Sequence, residues 1–108
     1  MYGVMRAVAA DFTGRGRKDI VAVSFLPPEH FPRREEQRLD AVVLLEQTEP
    51  GKYVRHSLGA GECDHFTCAA GDLNGDGTVD LVTGSFRLSE GGKLDRAVTV
   101  WKNCGRRE

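Results

Sequence analysis

The chain has 108 residues, enough for one small domain with a modest core. Hydrophobic residues make up 40% and charged residues 29%, with a net charge of −1, which excludes a disordered chain and gives no global case for nucleic acid or an acidic partner. No apolar run approaches the ~18 residues of a membrane-spanning helix, and the opening MYGVMRAVAADF lacks the basic and apolar regions of a signal peptide.

In chain order, AVAADFTGRGRKDIVAVSF (7–25) reads as two strands around a tight, glycine-containing loop. FLPPEHFPRREEQRL (25–39) follows, rich in proline and charge; it is expected to be an exposed variable loop, with RREEQR solvated rather than helical. DAVVLLEQ (40–47) is a β-branched, apolar run that reads as a third strand. Glu49-Pro50-Gly51 breaks it, and KYVRHSL (52–58) alternates Tyr53, Arg55 and Ser57 with Val54, His56 and Leu58, as a fourth strand does. After the linker CDHFTC (63–68) the order begins again. CAAGDLNGDGTVDLVTGSF (68–86) is strand, loop, strand; FRLSEGGKLD (86–95) is a flexible loop; RAVTVWKN (96–103) is a strand.

The second half repeats the first. With a shift of 61 residues and no gap, Asp11 falls on Asp72, Gly14 on Gly75, Gly16 on Gly77, Asp19 on Asp80, Ser24 on Ser85 and Phe25 on Phe86. With slightly different spacing, DAVVLLEQ falls on RAVTVWKN. Such a period signals a repeat architecture. Four-stranded antiparallel units of about this length suggest propeller blades, which need neighbours to bury both faces. The expected fold is all-β: two antiparallel, four-stranded, blade-like units of a β-propeller, residues 1–66 and 67–108, the second incomplete. Since propellers have roughly four or more blades, the chain reads as a piece of a larger propeller or as a copy that assembles with others.

Asp72, Asn74, Asp76 and Asp80 occupy positions 1, 3, 5 and 9 of DLNGDGTVD, with Gly75 and Gly77 between them. Three carboxylates so close repel one another unless a cation lies among them. Calcium takes about six to eight oxygens at roughly 2.3–2.6 Å. Alternate positions of a tight turn present such oxygens inward, and the glycines permit positive φ. Thr78, at position 7, would add its backbone carbonyl. Magnesium fits less well, because it demands strict octahedral geometry. An EF-hand is excluded: it needs a glutamate at position 12 and helical flanks, whereas Thr83 stands there between strand-like segments. The bland alternative is an acidic turn that binds no ion.

The stretch AAGDLNGDGTVDLVTGSF resembles an FG-GAP/VCBS repeat, the blade unit of integrin-α-like β-propellers. The resemblance is closest over residues 70–86 and weaker over 9–25. It implies one Ca2+ held by Asp72, Asn74, Asp76, Thr78 and Asp80, in a loop joining the first two strands of a blade. It also implies an extracellular, periplasmic or cell-surface setting. The first unit departs from the pattern: DFTGRGRKD places Thr13 at position 3 and Arg15 at position 5. A guanidinium there repels calcium and is expected to sit instead between Asp11 and Asp19 as a built-in cation, with Arg17 and Lys18 adding positive charge. One calcium site is expected.

No Ser–His–Asp set or phosphate-binding glycine loop is visible. His30, His56 and His65 are scattered, and Cys63, His65 and Cys68 do not have a common zinc spacing. The cysteines Cys63, Cys68 and Cys104 are odd in number. Cys63 and Cys68 are read either as a short local disulfide or, more often for such a pair, as unlinked thiols. Trp101 and Tyr53 read as packed strand residues. The expectation is a non-catalytic, calcium-binding module that presents a protein- or glycan-binding surface or joins further blades, possible homo-oligomers included, without nucleic acid or membrane insertion. The alternative is part of a propeller-type polysaccharide hydrolase or lyase.

Overall fold

The computed structural model describes residues 3–26, 33, 36–60, 65–85 and 98–104, with Phe66 described by its backbone alone. Seven strands and no helix occur among them. They are β1 (Val4–Ala10), β2 (Asp19–Ser24), β3 (Asp40–Glu49), β4 (Lys52–Ala60), β5 (His65–Gly71), β6 (Asp80–Ser85) and β7 (Val98–Trp101). The first four form one antiparallel sheet in the order β1-β2-β3-β4, and the last three form a second in the order β5-β6-β7. The fold is thus all-β, with a four-stranded and a three-stranded unit, as the patterning predicts. The second sheet begins at His65, so β5 runs across the expected unit boundary at 66/67.

The two opening hairpins share one design. Ala10 pairs with Asp19 and Val8 with Val21; Gly71 pairs with Asp80 and Ala69 with Val82. Each hairpin therefore encloses a loop of the same length, residues 11–18 and 72–79. The central strands β2 and β6 carry β-branched residues, which suit a pleated strand paired along both edges.

The core lies between the sheets. Val8, Val21 and Leu44 stand in register across the first sheet, as do Val23 and Val42. Across from them lie Cys68, Leu81 and Trp101 of the second sheet. Val21, Val23 and Val42 are at most 1% exposed; full burial of such a side chain contributes about 1.5–3 kcal/mol. Trp101 reaches the outermost strand of the other sheet: a Cβ on Gly59 would meet its Cη2 at 3.2 Å. The indole N–H donates to the hydroxyl of buried Thr83 at 3.0 Å, which satisfies both polar groups inside the interface.

His30, Cys63, the loop 86–95 and most of 25–39 lie outside the described residues. Of the proline-rich loop, one turn is defined: Gln37 N–H donates to the Arg33 carbonyl at 2.8 Å, and Arg33 pairs with Glu36 at 3.2 Å. The Glu36 side chain is solvated, and the pair adds little.

Candidate metal centre

The loop 72–79 is built around the carboxylates at its two ends. Asp72 Oδ1 accepts the amide N–H groups of Gly75 at 2.8 Å and Asp76 at 3.3 Å, and its Oδ2 accepts that of Gly77 at 2.9 Å. The chain turns tightly around the carboxylate because Gly75 and Gly77 adopt φ of 75° and 86°, which side chains with a Cβ disfavour. Asp80 is buried at 2% exposure. Its Oδ2 accepts the Leu73 amide at 3.2 Å and its Oδ1 the Asn103 amide at 2.8 Å. A buried carboxylate is tolerated here because both oxygens accept hydrogen bonds.

The same network recurs in the loop 11–18. Asp11 accepts Arg15 N–H at 3.0 Å and Gly16 N–H at 2.8 Å. Asp19, fully buried, accepts the Thr13 amide at 3.1 Å and the Gln47 amide at 2.8 Å. Gln47 and Asn103 also play the same part with their side chains. Gln47 Nε2 donates to the Lys18 carbonyl at 2.6 Å, and Asn103 Nδ2 to the Val79 carbonyl at 2.9 Å. Neither residue was among the expected site residues. The signal available was their shared place at the polar end of DAVVLLEQ and RAVTVWKN, but their role depends on β3 and β7 pairing with the central strands.

The two loops differ in the side chains at positions 3 and 5. In the second loop Asp76 is exposed, and its Oδ1 accepts the Thr78 amide at 3.0 Å and hydroxyl at 2.6 Å. The Thr78 hydroxyl and amide, with the Asn74 side chain beside them, hold the Asp76 carboxyl below the usual carboxylate value. In the first loop Arg15 does not sit between Asp11 and Asp19, the arrangement its position invites. Its guanidinium turns to β3 and pairs with Glu46 at 3.1 Å. Glu46 also contacts His56 Nε2 at 3.0 Å. The Arg15 Nε is buried with no hydrogen-bond partner among the described residues. The next cation, Arg17, donates to the Thr48 carbonyl at 2.9 Å.

The donor types of the second loop suit a hard cation: three carboxylates, one carboxamide and the Thr78 carbonyl. A carboxylate accepts about four hydrogen bonds or metal contacts. Asp72 uses three of these on amides and Asp80 uses two, so each retains room for a cation, and Asp76 Oδ2 accepts none of these bonds. The carboxylates are oriented by the amides rather than toward one another: among the described residues no three His, Cys, Asp or Glu side chains converge as a metal-binding group. Thr78 is joined to the end of β7, with its hydroxyl 3.2 Å from the Asn103 carbonyl.

His65 and Cys68 are absorbed by packing. His65, 7% exposed, lies with Nδ1 3.3 Å from the Ser85 hydroxyl and meets the Trp101 ring edge-on at 6.2 Å. Cys68 is a free thiol in the core, and burial pushes its pKa up, away from thiolate chemistry. A cavity of about 350 Å³ opens between the sheets, lined by Phe12, Leu44, Leu58, Leu81, Trp101 and other residues. Its walls are mostly apolar.

No protein-family model, curated protein or solved structure matches the chain.

Proposed function

We propose that the chain is a non-catalytic, calcium-binding β-propeller module of the FG-GAP/VCBS type, acting outside the cytoplasm as a scaffold for a protein or glycan. One Ca2+ would be held by Asp72, Asn74, Asp76, the Thr78 carbonyl and Asp80, drawing the exposed side chains of Asn74 and Asp76 inward. The first loop binds none, because Arg15 takes the place of the third carboxylate.

The observation that carries this reading is the contrast between two loops with one hydrogen-bond scaffold. Both keep the end carboxylates that fold the loop. Only the second adds an amide and an acidic side chain at positions 3 and 5, and of these Asp76 holds Thr78 through Oδ1 alone, leaving Oδ2 outside those bonds. An exposed carboxylate with an oxygen outside the loop's own bonds, at the spacing a calcium loop needs, supports a ligand role.

The test is thermal unfolding of the purified chain with calcium and with chelator, together with calorimetric titration. Binding to the folded state raises the melting temperature by mass action, and a stoichiometry near one is expected. An unchanged melting temperature with no heat of binding at millimolar calcium would reduce the loop to an acidic turn.

A further inference from the structure

Gln47 and Asn103 hold the same place in the two units, but their side chains are used differently. Gln47 stays within its own sheet: Nε2 donates to the Lys18 carbonyl at 2.6 Å, and Oε1 accepts the Gly51 amide at 3.0 Å. Asn103 joins the two sheets. Its Nδ2 donates to the Val79 carbonyl at 2.9 Å in the second loop and to the Phe12 carbonyl at 2.7 Å in the first. Its main chain grips the residues on either side of Val79: the N–H donates to Asp80 Oδ1 at 2.8 Å, and the carbonyl accepts the Thr78 hydroxyl at 3.2 Å. Phe12 stands between Asp11 and Thr13, whose bonds build the first loop, and packs against the core. Its repeat counterpart, Leu73, is 57% exposed. Phe12, Thr13, Val79 and Asn103 all line the cavity between the sheets, so the joint lies on the seam. The second loop is thus fastened to the other sheet by a residue outside the proposed ligand set.

We propose that Asn103 is a positioning residue for the calcium site and couples that site to the contact between the sheets. The inference rests on the calcium reading of the proposed function. Thr78 and Asp80 are the two ligands that flank Val79, and Asn103 holds all three residues in place. Partners that fix the ligands of a metal from outside contribute to its affinity, and their loss costs about tenfold or more. The same side chain ends on Phe12, so whatever orders the segment 78–80 also orders the start of the first loop. Coupling of this kind is reciprocal. Calcium in the second loop tightens the first, and an intact contact between the sheets favours the ion. The first loop, which lacks the ligand set, responds to calcium without binding it.

The experiment is amide hydrogen exchange on the full chain, with calcium and with chelator, for the wild type and Asn103→Ala. Calorimetry gives the calcium affinity of the same samples, and circular dichroism verifies each fold. In the wild type, calcium is expected to slow exchange in residues 72–79 and in residues 11–18. In Asn103→Ala the affinity is expected to fall by about tenfold, and at saturating calcium the second loop is still protected while the first no longer responds. Trp101→Phe is the control for lost stability: it weakens the interface but keeps the Asn103 bonds, so both loops should still respond. A first loop that falls silent there too assigns the effect to stability and overturns the proposal. Protection of 72–79 alone in the wild type also overturns it and leaves the calcium reading standing. So does a first loop that still responds in Asn103→Ala, which would indicate global stabilisation or a second ion. The wild-type comparison needs no variant, so the proposal can be refuted even if Asn103→Ala does not fold. No slowing in either loop at millimolar calcium sinks the calcium reading and the proposal with it.

Discussion

Asn103 donates its side-chain amide to the carbonyl of Phe12, 91 residues earlier, at 2.7 Å. The same amide group donates to the Val79 carbonyl at 2.9 Å. One residue at the end of β7 thus closes the loop of its own sheet and ties it to the loop of the other. Asn103→Ala removes both bonds and is expected to cost about 1–3 kcal/mol. Urea unfolding would read this as a lower midpoint with an unchanged slope.

The buried carboxylate of Asp80 accepts backbone N–H groups through both oxygens. Asp80→Asn sets an amide donor against one of those N–H groups with almost no change of shape. The expected loss is about 1–3 kcal/mol, and thermal unfolding should show a melting temperature lower by roughly 4–8 °C per kcal/mol for a domain of this class. Asp72→Asn, in the exposed part of the loop, should cost less because water reaches it.

Calcium affinity should separate the two loops. Asp76→Ala removes an exposed carboxylate, along with its bonds to Thr78, and it is expected to weaken calcium binding by about tenfold or more, since ligand charge tunes such sites over decades. Arg15→Ala should leave the affinity within about twofold, because its guanidinium is spent on Glu46 in the other loop's surroundings. Isothermal calorimetry distinguishes the two; equal effects would mean that the ligands are misassigned.

Acid should weaken the chain through Asp11 even without calcium. The Gly16 amide chiefly, with those of Arg15 and Gly14 and the charge of Lys18, holds its carboxyl below the ordinary 3.8. A carboxylate depressed in the folded state contributes stability that is fully present above 3.8 and disappears as pH falls through the folded value. Denaturation midpoints measured in chelator from about pH 6 to about pH 2 should therefore fall at the acid end. Asp11→Asn should flatten that fall. An identical acid slope in the variant would remove Asp11 from the account.

Trp101 is the chain's single tryptophan and packs against Gly59 across the interface. Its emission should shift to the red on unfolding and so report the separation of the sheets. Gly59→Val places a branched side chain where a lone Cβ already lies 3.2 Å from the ring. Overpacking of this kind costs about 1–3 kcal/mol. Trp101→Phe keeps an aromatic ring there but leaves buried Thr83 without the indole donor, a smaller loss of about 1 kcal/mol.

The strand order was legible in the sequence because each central strand combines a two-residue alternation with β-branched side chains, and because the second half repeats the first. The loops were legible through their glycines: four of them fall in register and all take positive φ. Arg15 was not. Its partner Glu46 lies 31 residues on and is brought near only by the pairing of β2 with β3. The reach of Asn103 to Phe12 was hidden for the same reason, since it depends on how two sheets stack. The alternation in KYVRHSL marked β4 as a strand, but not that Tyr53, Val54 and Leu58 would all remain more than 40% exposed at the sheet edge.

The division of labour within the acidic loops bears on how such a chain can change. Positions 1 and 9 hold the turn together, and substitution there disturbs the architecture. Positions 3 and 5 hold the turn differently in the two loops, through Thr13 on Asp19 in the first and Asp76 on Thr78 in the second, and the loops keep the same shape around their end carboxylates. The side-chain charge at two positions of each loop can therefore be gained, lost or inverted in sign while the backbone stays as it is. Two hairpins built this way can drift apart in surface charge without drifting apart in form.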